Sequence, residues 1–353
     1  MGKPVFRVIS PGLLTTVQDL GRPGLQRFGV SENGAMDTYS LRCANVLVGN
    51  EDGAAGLEIT LQGPVLEAAG RTVVAVTGAD LSPRLNGKPV PMWEAVMVET
   101  GDTLSFGGAR AGSRAYLAVA GGFDVPVVLG SRSTDLKVGF GGLEGRPLRK
   151  GDLLESCPSP VQVETLVGRS LPPSVRPDIT FYPEIRVVLG PQDGYFTKAG
   201  IETFLNSTYV VAPEWDRMAL RLEGPVVEHR EGADIISEGI PVGSVQVPKD
   251  GHPIILMAAR QTIGGYTKIA VVATVDLGRV AQLRPGDQVR FQPVEVDSAQ
   301  ELLREQEERF RAAVTALAAR ARGSDSGHAG KAGTLRFRMK VKGRAYDISV
   351  EEI

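Results

Sequence analysis

Residues 240–272 read IPVGSVQVPKDGHPIILMAARQTIGGYTKIAVV, three short apolar runs broken by polar turns. Ser244 to Val247 alternates small or polar with apolar, and Pro248-Lys249-Asp250-Gly251 is a turn. Pro253 to Ala259 has the length of a buried strand, and Tyr266 to Val275 is again β-branched and apolar. Arg260-Gln261-Thr262-Ile263-Gly264-Gly265-Tyr266 joins the last two runs. It sets a polar cluster beside two glycines, where the backbone can take positive φ or let another chain approach. An ordinary hairpin connection is one reading. A polar loop held on a rigid β scaffold, where function tends to gather, is the other.

The wider chain fits a β-rich fold. Its 353 residues suggest about two domains. The 43 glycines and 23 prolines favour short strands and tight turns over long helices. With 39 basic and 41 acidic residues the net charge is −2, so no global field draws the protein to nucleic acid or membrane. Cys43 and Cys157 have no metal-type spacing and make no disulfide framework. The first residues carry no apolar signal core and no run reaches a membrane span. The expectation is a soluble, cytoplasmic protein.

Outward from the opening stretch, a first β lobe is expected over residues 1–157 and a Pro-rich boundary over 158–178. A second β lobe follows over 179–297. The first lobe has one helix, Ala35 to Val48, with Asn33 and Asp37 as candidate caps. Asn86-Gly87 between apolar runs predicts a hairpin. The lobes echo each other: Leu61-Gln62-Gly63-Pro64-Val65 resembles Leu222-Glu223-Gly224-Pro225-Val226, and Gly101-Asp102 resembles Gly286-Asp287. An amphipathic helix is read over 298–322, a Gly/Ser-rich linker over 323–333, and a strictly alternating hairpin over 334–353.

Several chemistries lack their motifs. There is no phosphate-loop lysine pattern, no Gly-x-Ser-x-Gly elbow, and no metal-type placement of His229, His252 and His328. The glycine pairs at 121–122, 141–142 and 264–265 read as turns more readily than as phosphate cradles. Arg260, Gln261, Thr262, Tyr266, Gln246 and Lys249 line one cavity if the strands of 240–272 are neighbours. Such a set suits a carboxylate or amide ligand. Gln261, Tyr266 and Arg260 are the candidate catalytic residues. Gln246, Lys249, Thr262, Gly264, Gly265, Asp216 and Arg217 are the candidate substrate-binding residues, although Asp216-Arg217 reads first as an internal ion pair.

Six motifs then carry a resemblance over roughly residues 5–292. They are Thr16-Val17-Gln18-Asp19-Leu20-Gly21-Arg22-Pro23-Gly24, Asn33-Gly34-Ala35-Met36-Asp37, Gly130-Ser131-Arg132-Ser133-Thr134-Asp135, Gln246-Val247-Pro248, Gln261-Thr262-x-Gly264-Gly265-Tyr266 and Gln282-Leu283-x-Pro285-Gly286-Asp287. In these the chain resembles the allophanate hydrolase subunit 2 family, also called the KipA or biotin-dependent carboxyltransferase family. The resemblance implies two cyclophilin-like β-barrel lobes with few short helices and a KipI-like subunit 1 as partner. The leading activity it implies is ATP-dependent opening of 5-oxoproline to L-glutamate, with a LamB/YcsF-type subunit joining. The alternatives are the carboxyltransferase component of a biotin-dependent urea or amide carboxylase, and a non-catalytic KipI-binding regulator. Ala259, Thr267 and Ala219 depart from the Asp, Pro and Gly expected there. Phe337 to Ile353 is similar to the first two strands of a biotin carboxyl carrier domain, without its biotinylation site.

Overall fold

The computed structural model describes residues 2–179, 184–324, 335–341 and 344–350. The chain divides into two compact units, Met1–Leu317 and Ala318–Ile353. In the first unit, the first lobe folds as a six-stranded and a five-stranded sheet. Val5, Phe6, Val8, Leu57, Ile59, Val74, Val76, Leu104 and Leu117 fill the core between them. The run Thr72–Asp80 is apolar on both faces because both are covered. Val74 and Val76 point into that core, whereas Val73 and Ala75 pack under helix α1 (Thr38–Leu47). The Asn-Gly hairpin forms as read, joining Arg84–Leu85 to Lys88–Pro89 with Asn86 at φ 51° and Gly87 at φ 78°.

The α1 helix begins three residues later than its periodicity predicts. Asp37 is the cap, accepting from Ser40 N at 3.0 Å. Asn33 is not a cap: its Nδ2 donates to Asp135 at 2.9 Å. The intervening backbone is held by tertiary partners, Ala35 N on Asp19 O and Met36 N on Glu58 Oε2. Asp37 itself, at φ −112° and ψ 84°, lies outside the helical region, so the helix starts only after it.

The second lobe is a closed seven-stranded barrel. Helix α2 (Lys198–Asn206) closes onto it through Phe204, which stacks on Phe291 with ring centroids 4.3 Å apart. Within the opening stretch the strands are Ser244–Gln246, Ile254–Leu256 and Lys268–Val272, with Ser244–Gln246 in the middle. The expected connection between the last two is itself a strand. Ile263–Tyr266 pairs with Asp234–Gly239 to make a separate two-stranded ribbon, so Gly264 and Gly265 are ladder residues and not a turn. The echo between the lobes is visible at Gly101 and Gly286, with φ of 89° and 90°, each turning the chain into a strand.

The short helix α3 (Leu277–Ala281) precedes the last barrel strand, and the long helix α4 (Val296–Ser324) follows it. Phe310, Ala313 and Leu317 of α4 bury against α1. Arg42 holds Glu307 with an Nη2–Oε2 distance of 2.9 Å and stacks over the Phe310 ring. In the second unit, Leu335–Val341 pairs in unbroken antiparallel register with Arg344–Val350. Most of the expected linker, and Lys342-Gly343, where the hairpin turn is expected, lie outside the described residues. Among the described residues no helix is long and apolar enough to cross a membrane.

The α1–α4 contact is measurable. Phe310→Ala is expected to lower stability by about 3–5 kcal/mol through the cavity it leaves, read as a fall in unfolding midpoint by chemical denaturation.

Candidate functional site

Strand alternation builds the site. Leu220, Ile255 and Val245, abreast on neighbouring barrel strands, point into the core. The next residues along, Arg221, Ile254 and Gln246, therefore point outward in one row, and Lys268 is Gln246's partner on the following strand. The ribbon and the Tyr209–Trp215/Ala219–Glu223 hairpin complete the walls of a cavity of ≈570 Å³. Its apolar lining includes Trp215, Met218, Ile254 and Leu256, and its polar lining includes Gln246, Gln261, Tyr266 and Arg221. Asp216 and Glu214 lie toward the hairpin turn.

Three buried polar atoms of this lining have no hydrogen-bond partner within the protein: Gln246 Nε2, Gln261 Oε1 and Trp215 Nε1. Each such atom costs about 1–3 kcal/mol while unpaired. A donor and an acceptor left unpaired in one cavity match a group with a carbonyl beside an N–H, as in an amide, a lactam or a urea. Gly264 makes room for them: a Cβ there would lie 3.1 Å from Gln246 Nε2 and 3.5 Å from Gln261 Nε2.

Of the residues expected at the site, the cavity is lined by Gln246, Gln261, Tyr266 and Asp216, with Gly264 and Gly265 in the adjoining ribbon. The structure takes four others elsewhere. Arg260 is buried with its guanidinium on Ile240 O at 2.8 Å and Glu32 at 2.7 Å. Lys249 is exposed and pairs with Asp234. Thr262 accepts from Ile240 N through its backbone and does not line the cavity. The expected Asp216–Arg217 ion pair does not form. Arg217 crosses to the first lobe, where it meets Glu58 and Gly34 O, while Asp216 Oδ1 caps Met218 N and Ala219 N. Trp215 and Arg221 escaped the sequence reading. The inward Leu220 and Leu222 flanking Arg221 are the signal that places it outward.

The departures at 259, 267 and 219 also have physical content. Thr267 N donates to Ala233 O at 2.9 Å, a bond that proline cannot make. Ala259 N donates to Arg217 O, and the Ala219 side chain thickens the cavity wall. His229 Nε2 lies 3.0 Å from Val247 O and 3.1 Å from the Thr267 hydroxyl, and burial lowers its pKa.

A second cavity, ≈510 Å³, lies where α1, α3 and α4 meet. Much of its charged lining is paired internally, Arg42 on Glu307 and Arg186 on Asp276, so the barrel cavity is the better candidate. The glycine pairs elsewhere serve close packing. A Cβ at Gly141 would strike Ser133 O, and one at Gly121 would strike Cys157 O. Among the described residues no group of three or more His, Cys, Asp or Glu side chains is placed to hold a metal.

Comparison with known proteins agrees with this architecture. The profile of the carboxyltransferase domain, subdomain A and B, matches residues 28–293. The chain is 37% identical over 310 residues to the C-type subunit of 5-oxoprolinase from Escherichia coli (strain K12), covering 87% of this chain and 96% of that protein. It is 34% identical over 323 residues to urea amidolyase of Lachancea kluyveri, covering 86% of this chain but 18% of that protein. The crystal structure of K. lactis urea amidolyase superposes with a TM-score of 0.82 at 35% identity, covering 87% of this chain and 20% of that one.

Gly264→Ala tests the cavity. The added Cβ would sit 2.5 Å from Ile240 Cδ1 and 3.1 Å from Gln246 Nε2, so these side chains must be displaced from their present positions. Ligand-dependent activity is expected to fall at least about tenfold while the thermal melting transition stays cooperative.

Proposed function

The chain belongs to the carboxyltransferase family of subdomains A and B, and on that premise we propose that it is the C-type subunit of an ATP-dependent 5-oxoprolinase. It acts with a KipI-like subunit 1 and a LamB/YcsF-type subunit to open 5-oxoproline to L-glutamate. The observation that carries this reading is the unpaired Gln246 Nε2 and Gln261 Oε1 in one cavity. The lactam carbonyl accepts from Gln246 and the lactam N–H donates to Gln261, with the ring against Ile254 and Leu256. Donation to the carbonyl oxygen withdraws electron density from the carbon that must be attacked, and a donor fixed before reaction costs no reorganisation. The identity to the Escherichia coli 5-oxoprolinase chain, across 96% of that protein, supports the same reading. Glycine pairs 121–122 and 141–142 are closed by their own packing, so ATP is assigned to a partner or to the assembled interface.

A second reading is the carboxyltransferase component of a biotin-dependent urea or amide carboxylase. The likeness to K. lactis urea amidolyase favours it. The same donor–acceptor pair fits the ureido group of biotin, which when carboxylated would supply the transferred carboxyl group.

Co-expression of the chain with both partner subunits, followed by an assay of ATP-dependent glutamate release from 5-oxoproline, separates the two. Gln261→Ala is expected to lower kcat/KM by about tenfold or more in a complex that still assembles. Wild-type rates in that variant would remove Gln261 from the site. Carboxylation of urea from carboxybiotin, with no glutamate release, would replace the first reading by the second.

A further inference from the structure

We propose that Arg221 determines specificity in the barrel cavity, selecting an amide or lactam that carries a carboxylate close to its amide group. The proposal rests on the lactam reading of the Gln246–Gln261 pair.

Any carboxylate on the ligand needs a cation, and the structure withdraws those suggested by sequence. Arg260 and Arg217 are buried on partners outside the cavity, and Lys249 is exposed on Asp234. Lys268, next in the row, is 1% exposed and closed off by Glu238 at 2.6 Å. Arg221 is the cation that lines the cavity. It stands one strand beyond Ile254 from Gln246, so the two backbones are about 10 Å apart. Their side chains converge over Ile254 on a ligand a few atoms long.

Arg221 is also incompletely used. Its hydrogen bond among the described residues runs from Nη2 to Asp250, leaving Nε and Nη1. Nη2 has a second N–H besides the one on Asp250, so one edge of the guanidinium, Nη2 with Nε or with Nη1, remains to take a carboxylate as a fork. Glu214 and Asp216 line the cavity toward the hairpin turn and repel an anion there. They orient the ligand with its carboxylate toward Arg221 and its amide toward the glutamines. Urea has no carboxylate and would gain nothing from this arrangement.

The test uses the assembled complex. Arg221→Gln is expected to raise KM for 5-oxoproline by about 10- to 100-fold with a smaller change in kcat. Inhibition by 2-pyrrolidinone, the same lactam without the carboxylate, should keep its Ki. Asp250→Asn, which releases the guanidinium, should lower KM for 5-oxoproline. An unchanged KM in Arg221→Gln would overturn the assignment, and so would a pyrrolidinone Ki that rises in step with KM, the mark of a structural role. Either result leaves the lactam reading intact if Gln261→Ala is still impaired. A wild-type complex that turns over urea but not 5-oxoproline would overturn both.

Discussion

The ion pair between Arg217 and Glu58 joins the two lobes, and much else is arranged around it. Both residues are buried, and taking two charges out of water costs several kcal/mol each unless the remaining donors and acceptors are met. Here they are met. Glu58 Oε2 accepts from Met36 N at 2.7 Å and from the Tyr116 hydroxyl at 2.8 Å, and Arg217 also donates to Gly34 O. Burial pushes the Tyr116 hydroxyl well above its usual pKa, which keeps it a donor. Removing either charged partner would strand the other, at about 3–5 kcal/mol. The pair therefore fixes how the Asn33–Asp37 segment of the first lobe meets the second.

The same junction reaches the cavity from behind. Arg114 of the first lobe is fully buried, with its guanidinium 4.3 Å over the Trp215 ring. Gln282 spans the lobes in both directions, accepting from Ser113 N and Arg114 N and donating to Asp37 Oδ2 at 2.9 Å. Trp215 is a wall of the cavity and Arg217 follows it by two residues. A first-lobe network thus sets the position of one wall of the candidate site in the second lobe. The C-terminal helix α4 adds to this from the far side, because it packs on α1, whose cap Asp37 is the group Gln282 holds.

Much of this was legible in the sequence, and the misses have a common cause. Strand alternation, the Asn-Gly hairpin and the amphipathic period of α4 are local signals, and local signals were enough for them. Ala35 and Met36 fit the helical spacing but lie before the cap, their backbone N–H groups held by Asp19 and Glu58, partners that lie elsewhere in the sequence. Arg217 beside Asp216 suggests a local pair, whereas the side chain that meets it is 159 residues away. Gly264-Gly265 looks like a turn because its strand partner, Asp234–Gly239, is mostly exposed and carries no apolar alternation. The donor and acceptor of the cavity were within reach, since Gln246 and Gln261 are both in the opening stretch. That each lacks a partner is a property of the packed structure alone.

The barrel's size explains why the candidate site lies on its outer surface. Seven short strands enclose a volume that Val211, Leu220, Leu222, Val245, Ile255, Phe204 and Phe291 fill completely enough to leave them buried. A ligand has to be met by the outward-pointing residues, which in most sheets are simply solvated. The ribbon changes that environment by covering the row. It is tied to the body by Glu238 on Lys268, a contact that holds the Glu238 carboxyl below its usual pKa, and by Asp234 on Lys249. Beneath it, Gln246 is as buried as a core residue although it points away from the core. Polar alternation that reads as ordinary surface thus becomes a lined cavity, through a two-stranded addition whose own sequence gives little sign of it.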